Sequence, residues 1–382
     1  MKPLARAALT AGTIIVAAGI GIAARTLDAY GVFTSVPSKP LAQCTAITGI
    51  QGPEDIAIDF SSKLAFVSAF DRRAAAANKW SSQDGIYATS LKSANVLTPD
   101  AKTGLLRVTF TLGKNADGRA LTRLAGSPAD FHPHGISLYR DANGLVLMAI
   151  NHHADGTSSV ESFDVKIADG KNGTIVSLSE TGNIESRDLN SPNAIAAIDR
   201  ARFYVVNDHG GTTKFGRMLD DLLVLPRANL LYYDGMVFRP MADRLAYPSG
   251  LAISPDGHHL YVTEADARRL DTFALNPESG QLTQEGTLDI PTNLDNVRFD
   301  DHGVLWLGSH PKNLAMAAYR SDPSRPAPSE IFKIATNAGI PQSADVVYAG
   351  TDIGGSSVAA VMGDRMLIGG PLADRILDCK ID

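Results

Sequence analysis

Six strand-like phrases of one pattern recur along this chain, and the repetition restricts its fold more than any other feature. They begin at Glu54 (EDIAID), His134 (HGISLY), Asn193 (NAIAAI), Ser249 (SGLAIS), Asp295 (DNVRFD) and Ser356 (SSVAAV). After each comes a polar or turn-like segment and a second apolar run, such as LAFVSA from Leu64, LVLMAI from Leu145 and LYVTEA from Leu260. Each unit reads as two strands about a tight turn, with Asp256-Gly257 and His302-Gly303 among the turn signals. The phrases start roughly 46 to 80 residues apart, wider than a minimal propeller repeat but tolerable with inserted loops. The pattern predicts an all-β fold, a six-bladed β-propeller spanning 44–382 as one body. In a radial array equivalent positions face one axis. Glu54, Asp55, His134, Asn193, Asp295 and Asn296 are then expected to converge there.

Those residue types point to a hard cation. Glu54, Asp55 and Asp295 are carboxylates, while Asn193 and Asn296 add neutral amide oxygens. Calcium accepts six to eight oxygen ligands in irregular geometry, whereas zinc prefers nitrogen and sulfur. Any one of these residues alone would more simply start a strand or cap a turn. Their shared phase in the repeats favours metal binding. His134 stands at the same phase, stiffened by Pro133 and followed by Gly135, and His152 ends the second run of the same hairpin. A paired imidazole acts as a water-activating base. The plainer reading has either ring capping a strand.

The N-terminus carries Lys2 and Arg6 ahead of an uncharged stretch from Ala7 to Ala24. Eighteen helical residues reach about 27 Å, just short of a hydrocarbon core. Residues 1–25 are therefore expected to be a hydrophobic helix serving as a membrane anchor, or a cleaved signal, with 26–43 as a tether. Either way the rest is exported. An anchor leaves it membrane-bound on the extracytoplasmic side, and cleavage leaves it secreted or periplasmic. Cys44 and Cys379 are the only cysteines and lie near the two ends of the expected propeller. In an exported protein they read as a disulfide clasping first and last segments, worth on the order of 5 kcal/mol at most in the chain-entropy model. A net charge of −6, with no dense basic stretch, excludes nucleic acid as the main partner. There is no Gly-x-Ser-x-Gly elbow and no phosphate-binding loop motif.

Several phrases together resemble the paraoxonase (arylesterase/lactonase) family, within the propellers that include gluconolactonases and strictosidine-synthase-like proteins. They are Pro53-Glu54-Asp55, Phe131-His132-Pro133-His134-Gly135-Ile136-Ser137, Asn151-His152, Asn207-Asp208-His209, Asp295-Asn296 and Ser309-His310-Pro311. The resemblance runs from Cys44 to Cys379 and implies two central calcium ions. It implies a catalytic ion on Glu54, Asn193, Asp295 and Asn296, His134 with His152 as base pair, and His310 lining the pocket. It also likens the leader to an uncleaved lipid tether. Two positions depart from the family pattern. Ser249 replaces an asparagine ligand, and Ala194 replaces an aspartate of the structural ion, leaving Asp55 and the Ile136 carbonyl there. One calcium site is expected to be complete and the second depleted.

The leading expectation is thus a calcium-dependent hydrolase of lactones and aryl esters, acting on small molecules at a membrane. Its alternatives are a sugar-lactone hydrolase and a non-enzymatic, membrane-tethered binding platform.

Overall fold

The computed structural model describes residues 17, 19–91, 106–107, 109–110, 130–170 and 173–381. Within the apolar leader, residues 7–16 and 18 lie outside the described residues. Six sheets, five of four strands and one of five, make up the body. Their inner strands are Pro53–Asp59, Pro133–Asp141, Pro192–Ala197, Pro248–Ile253, Leu294–Phe299 and Val358–Met362. Each packs beside the next, and the last returns to the first. The fold is the six-bladed β-propeller that the repeated phrases predict. Four inner strands open on proline, whose missing N–H is harmless at a strand's first residue.

The ring closes through the outermost position of the last blade. Strand Gln43–Thr48 pairs antiparallel with Arg375–Lys380, so one blade is built from both ends of the chain. In that register Cys44 faces Cys379, and the two are disulfide-bonded. Apolar residues from facing sheets fill the gaps between blades. Phe66, Ile136, Leu147 and Phe163 form one such layer, and Tyr204, Val206, Leu251 and Val262 another.

Antiparallel hairpins place the start of every inner strand and the end of every second strand at the same end of the ring. Among the described residues three helices cap that end, each following a second strand: α2 (Arg72–Ala76), α3 (Lys214–Leu223) and α4 (Asn313–Ser321). Asp71 caps α2 by accepting from the Ala74 N–H at 2.9 Å, and Thr213 does the same for α3 through the Gly216 N–H at 3.0 Å. The Ala-rich run after Asp71 reads as a surface loop in sequence, but alanine's helix preference and this cap make it helical.

Residues 25–39 are patternless in sequence, yet they begin in helix α1 (19–29). That helix docks on the propeller. Thr26 Oγ1 donates to the Leu222 carbonyl at 2.8 Å, Arg25 to that of Val224 at 3.3 Å, and Asp28 pairs with Arg268 at 3.0 Å. No helix among the described residues is long and apolar enough to cross a membrane.

Candidate active site

The inner strands do not run straight into the capped end. Five of the six carry a register shift at their first residues: Pro53/Asp55, Pro133/Ile136, Pro192/Ala194, Pro248/Gly250 and Leu294/Val297. Each shift spans a residue singled out in the sequence, namely Glu54, His134, Asn193, Ser249 or the pair Asp295-Asn296. A β-bulge bends its strand and re-aims a side chain. Repeated around the ring, it takes these residues out of the blade-to-blade packing.

His134 Nδ1 lies 2.8 Å from His152 Nε2, and His152 Nδ1 lies 3.0 Å from Ser158 Oγ. The other His134 nitrogen, Nε2, lies 2.9 Å from Glu54 Oε1. Arg72 donates to Glu54 Oε2 at 3.0 Å. Burial alone would raise the Glu54 carboxyl, but His134 and Arg72 outweigh it and hold it at about 2. Burial, then the neighbouring His134 charge, depresses His152 to about 3, so this ring stays neutral at ordinary pH.

Asp295 has the opposite balance. Burial and then the charge of Glu54 push it well above the usual carboxylate range. Its neighbour His310 lies 3.5 Å away, Nδ1 to Oδ2, without making a hydrogen bond, and burial lowers His310 to about 4. The Asn193 amide donates from Nδ2 to Asp208 Oδ2 at 3.1 Å, which leaves its buried Oδ1 with no hydrogen-bond partner. Asn296 Nδ2 is likewise buried and unpartnered, and turning that amide over would present an oxygen instead. The Ser249 hydroxyl bonds the Leu294 carbonyl at 3.0 Å. Two mutually repelling buried carboxylates and an orphaned amide oxygen are a donor set that a hard cation would satisfy.

The second expected set is different. Asp55 Oδ2 accepts from the Ile136 N–H at 2.9 Å and from Arg298, and the Ile136 carbonyl accepts from Arg298 Nη2 at 2.8 Å. Ala194 offers no side-chain oxygen. Asp55 and Ile136, expected as calcium ligands, are bound to a guanidinium instead, and they do not fit a second ion. Apart from the axis, Asp300, Asp301 and His302 cluster in a hairpin turn. There Asp300 accepts from the His302 and Val304 N–H groups and from Trp306 Nε1, a turn-capping role.

A sequence profile described as arylesterase matches residues 40–381. The chain belongs to the arylesterase family. Among arylesterase relatives, the human serum paraoxonase/arylesterase 2 is 30% identical over 350 residues, covering 91% of each chain. The rat serum paraoxonase/arylesterase 1 is 30% identical over 359 residues, covering 91% of this chain and 92% of the relative. Among solved structures, a calcium-binding protein, regucalcin, from Agrobacterium tumefaciens has a TM-score of 0.50 at 12% identity, covering 90% and 94% of the two chains. That last likeness concerns the fold. Arylesterase membership makes this protein a carboxylic ester hydrolase.

Arg72, Asp208 and Arg298 were not expected among the working residues. Arg72 is hidden in a run read as a loop, while Asp208 stands in a phrase that carries the family resemblance. Arg298 has a readable signal. The fourth residue of the other five phrases is Ala57, Ser137, Ala196, Ala252 or Ala359, and only here is it large and charged.

Proposed function

We propose that this esterase is a calcium-dependent hydrolase of lactones and aryl esters, in which His134, supported by His152, deprotonates the attacking water. The observation that carries the reading is the bonded row Ser158, His152, His134 and Glu54, set beside Asp295 and the free oxygen of Asn193. Glu54, Asn193, Asp295 and Asn296 would hold the ion. Calcium, when bound, supplies positive charge that polarises an ester carbonyl and stabilises the charge developing on its oxygen.

The chain's own residues account for the proton. Bonded to ionised Glu54, His134 carries hydrogen on Nε2. For it to accept a proton there, Glu54 must be engaged by the ion instead, and His134 Nδ1 must then carry the hydrogen and donate to His152 Nε2. His152 Nδ1–H then donates to Ser158 Oγ. Neutral His152 suits this role, because it accepts the bond without repelling the charge that His134 acquires. Asp208 orients Asn193 through the Nδ2 bond. Arg72 keeps Glu54 ionised. Base catalysis of this kind contributes roughly 10²–10⁴-fold.

The protein is further proposed to work outside the cytoplasm, tethered through its N-terminal segment. The Cys44–Cys379 bond supports an oxidising compartment, and Ile20 and Ile22 of α1 are exposed apolar residues on the leader side.

The test is hydrolysis of aliphatic lactones, a sugar lactone and phenyl acetate, before and after chelation and calcium return. Activity that disappears with chelator and returns with calcium supports the reading. A preference for the sugar lactone would move the substrate assignment to that class. Full activity in chelator would remove calcium from the mechanism.

A further inference from the structure

Arg298 extends from the inner strand of the fifth blade, and its side chain is only 15% exposed. Its five N–H donors are all used on the propeller's own oxygens. Nε donates to the Ile56 carbonyl at 3.1 Å, and Nη2 to the Ile136 carbonyl at 2.8 Å and to Asp55 Oδ2. Nη1 makes longer bonds to the carbonyls of Leu251 at 3.4 Å and Val297 at 3.5 Å. One guanidinium thus joins inner strands of the first, second, fourth and fifth blades. Five of the six phrases keep a small residue at the matching position, which leaves room for one long side chain at that level.

We infer that the Arg298 guanidinium is a permanent, covalently held cation that takes the place of a second metal ion, so that this chain binds one divalent cation. The inference rests on the calcium reading of the neighbouring site for the one ion it leaves. Calcium requires six to eight oxygens. Here Ile136 O, Ile56 O, Leu251 O and Asp55 Oδ2 already receive N–H bonds. Asp55 Oδ1 is the one unpartnered oxygen of that carboxylate, too few for an ion. A divalent ion would also meet the like charge of a guanidinium that does not deprotonate in proteins. A fixed cation has a consequence for the fold. Chelation can empty the catalytic position without removing the charge that ties the inner strands together.

The experiment counts calcium per chain, by atomic emission after gel filtration of the full chain in detergent with calcium present. It compares wild type, Arg298→Lys, and the double variant Ala194→Asp with Arg298→Ser. Wild type is expected to carry one calcium, Arg298→Lys one, and the double variant two. The double variant is also expected to lose more thermal stability on chelation than wild type does. Two ions in the wild type would overturn the inference and leave the proposed hydrolase untouched, as would a folded double variant that gains none. If the double variant does not fold, the wild-type count still decides. No ion in the wild type with one gained by the double variant would uphold the role of Arg298 and remove calcium from the proposed mechanism.

Discussion

His134 Nε2 lies 2.9 Å from Glu54 Oε1, although 80 residues separate the two in the chain. The same carboxylate is thereby a candidate ion ligand and the direct neighbour of the candidate base. Whatever engages Glu54 competes with the His134 proton, which couples ion binding to the hydrogen-bond direction along His134, His152 and Ser158.

Replacing His134 by glutamine keeps a polar side chain but removes the proton acceptor. Turnover of phenyl acetate is expected to fall by roughly 10²–10⁴-fold with calcium binding retained. Initial rates and calorimetric titration check both halves. Unchanged turnover on every ester would make Asp295 the candidate base.

Asp295→Ala removes an ion ligand and relieves the repulsion between buried carboxylates. Calcium affinity and turnover are expected to fall together, by at least the roughly 10–100-fold that losing an outer-sphere partner costs a metal site. Without calcium the variant should be no less stable than wild type, a point that thermal unfolding in chelator settles.

His209 sits between Asp208, at 2.5 Å, and Asp221, at 2.8 Å. Burial opposes its charge, but the hydrogen bonds to both carboxylates carry its pKa from 6.5 up to about 10. A raised histidine contributes stability that is fully present below its unfolded value and lost as pH rises through the folded one. The unfolding midpoint should therefore decline between about pH 6.5 and 10, and decline less in His209→Gln. Parallel curves for the two proteins would refute the assignment.

The disulfide joins residues 335 positions apart. Cys44→Ser with Cys379→Ser should lose about 2–5 kcal/mol, because the opened ring regains chain entropy in its unfolded state. Urea unfolding of the variant should match wild type under reducing conditions.

Gly135 tests the close approach of neighbouring inner strands. A Cβ there would collide with the Asn193 carbonyl and stand 2.9 Å from the Ala194 Cα. Gly135→Ala should cost about 1–3 kcal/mol in stability, as overpacking does. It should also reduce kcat/KM more than its mild chemistry suggests, since Asn193 must shift.

The sequence by itself determined the architecture. Strand alternation and turn residues act over a few positions, so EDIAID, HGISLY and their four counterparts each specify an inner strand locally. Their number specifies the ring. The His134 and His152 pairing was legible for the same reason, because one hairpin carries both. The clasp at Cys44 and Cys379 followed from there being two cysteines and two ends. Only tertiary structure decided how charge is distributed on the axis. Arg298 reaches Asp55 across 243 residues, Arg72 reaches Glu54 from a short helix, and Asp208 turns the Asn193 amide. Such partners are chosen by where bulges aim side chains within a closed ring. That geometry belongs to all six blades at once, and no local pattern of residues encodes it.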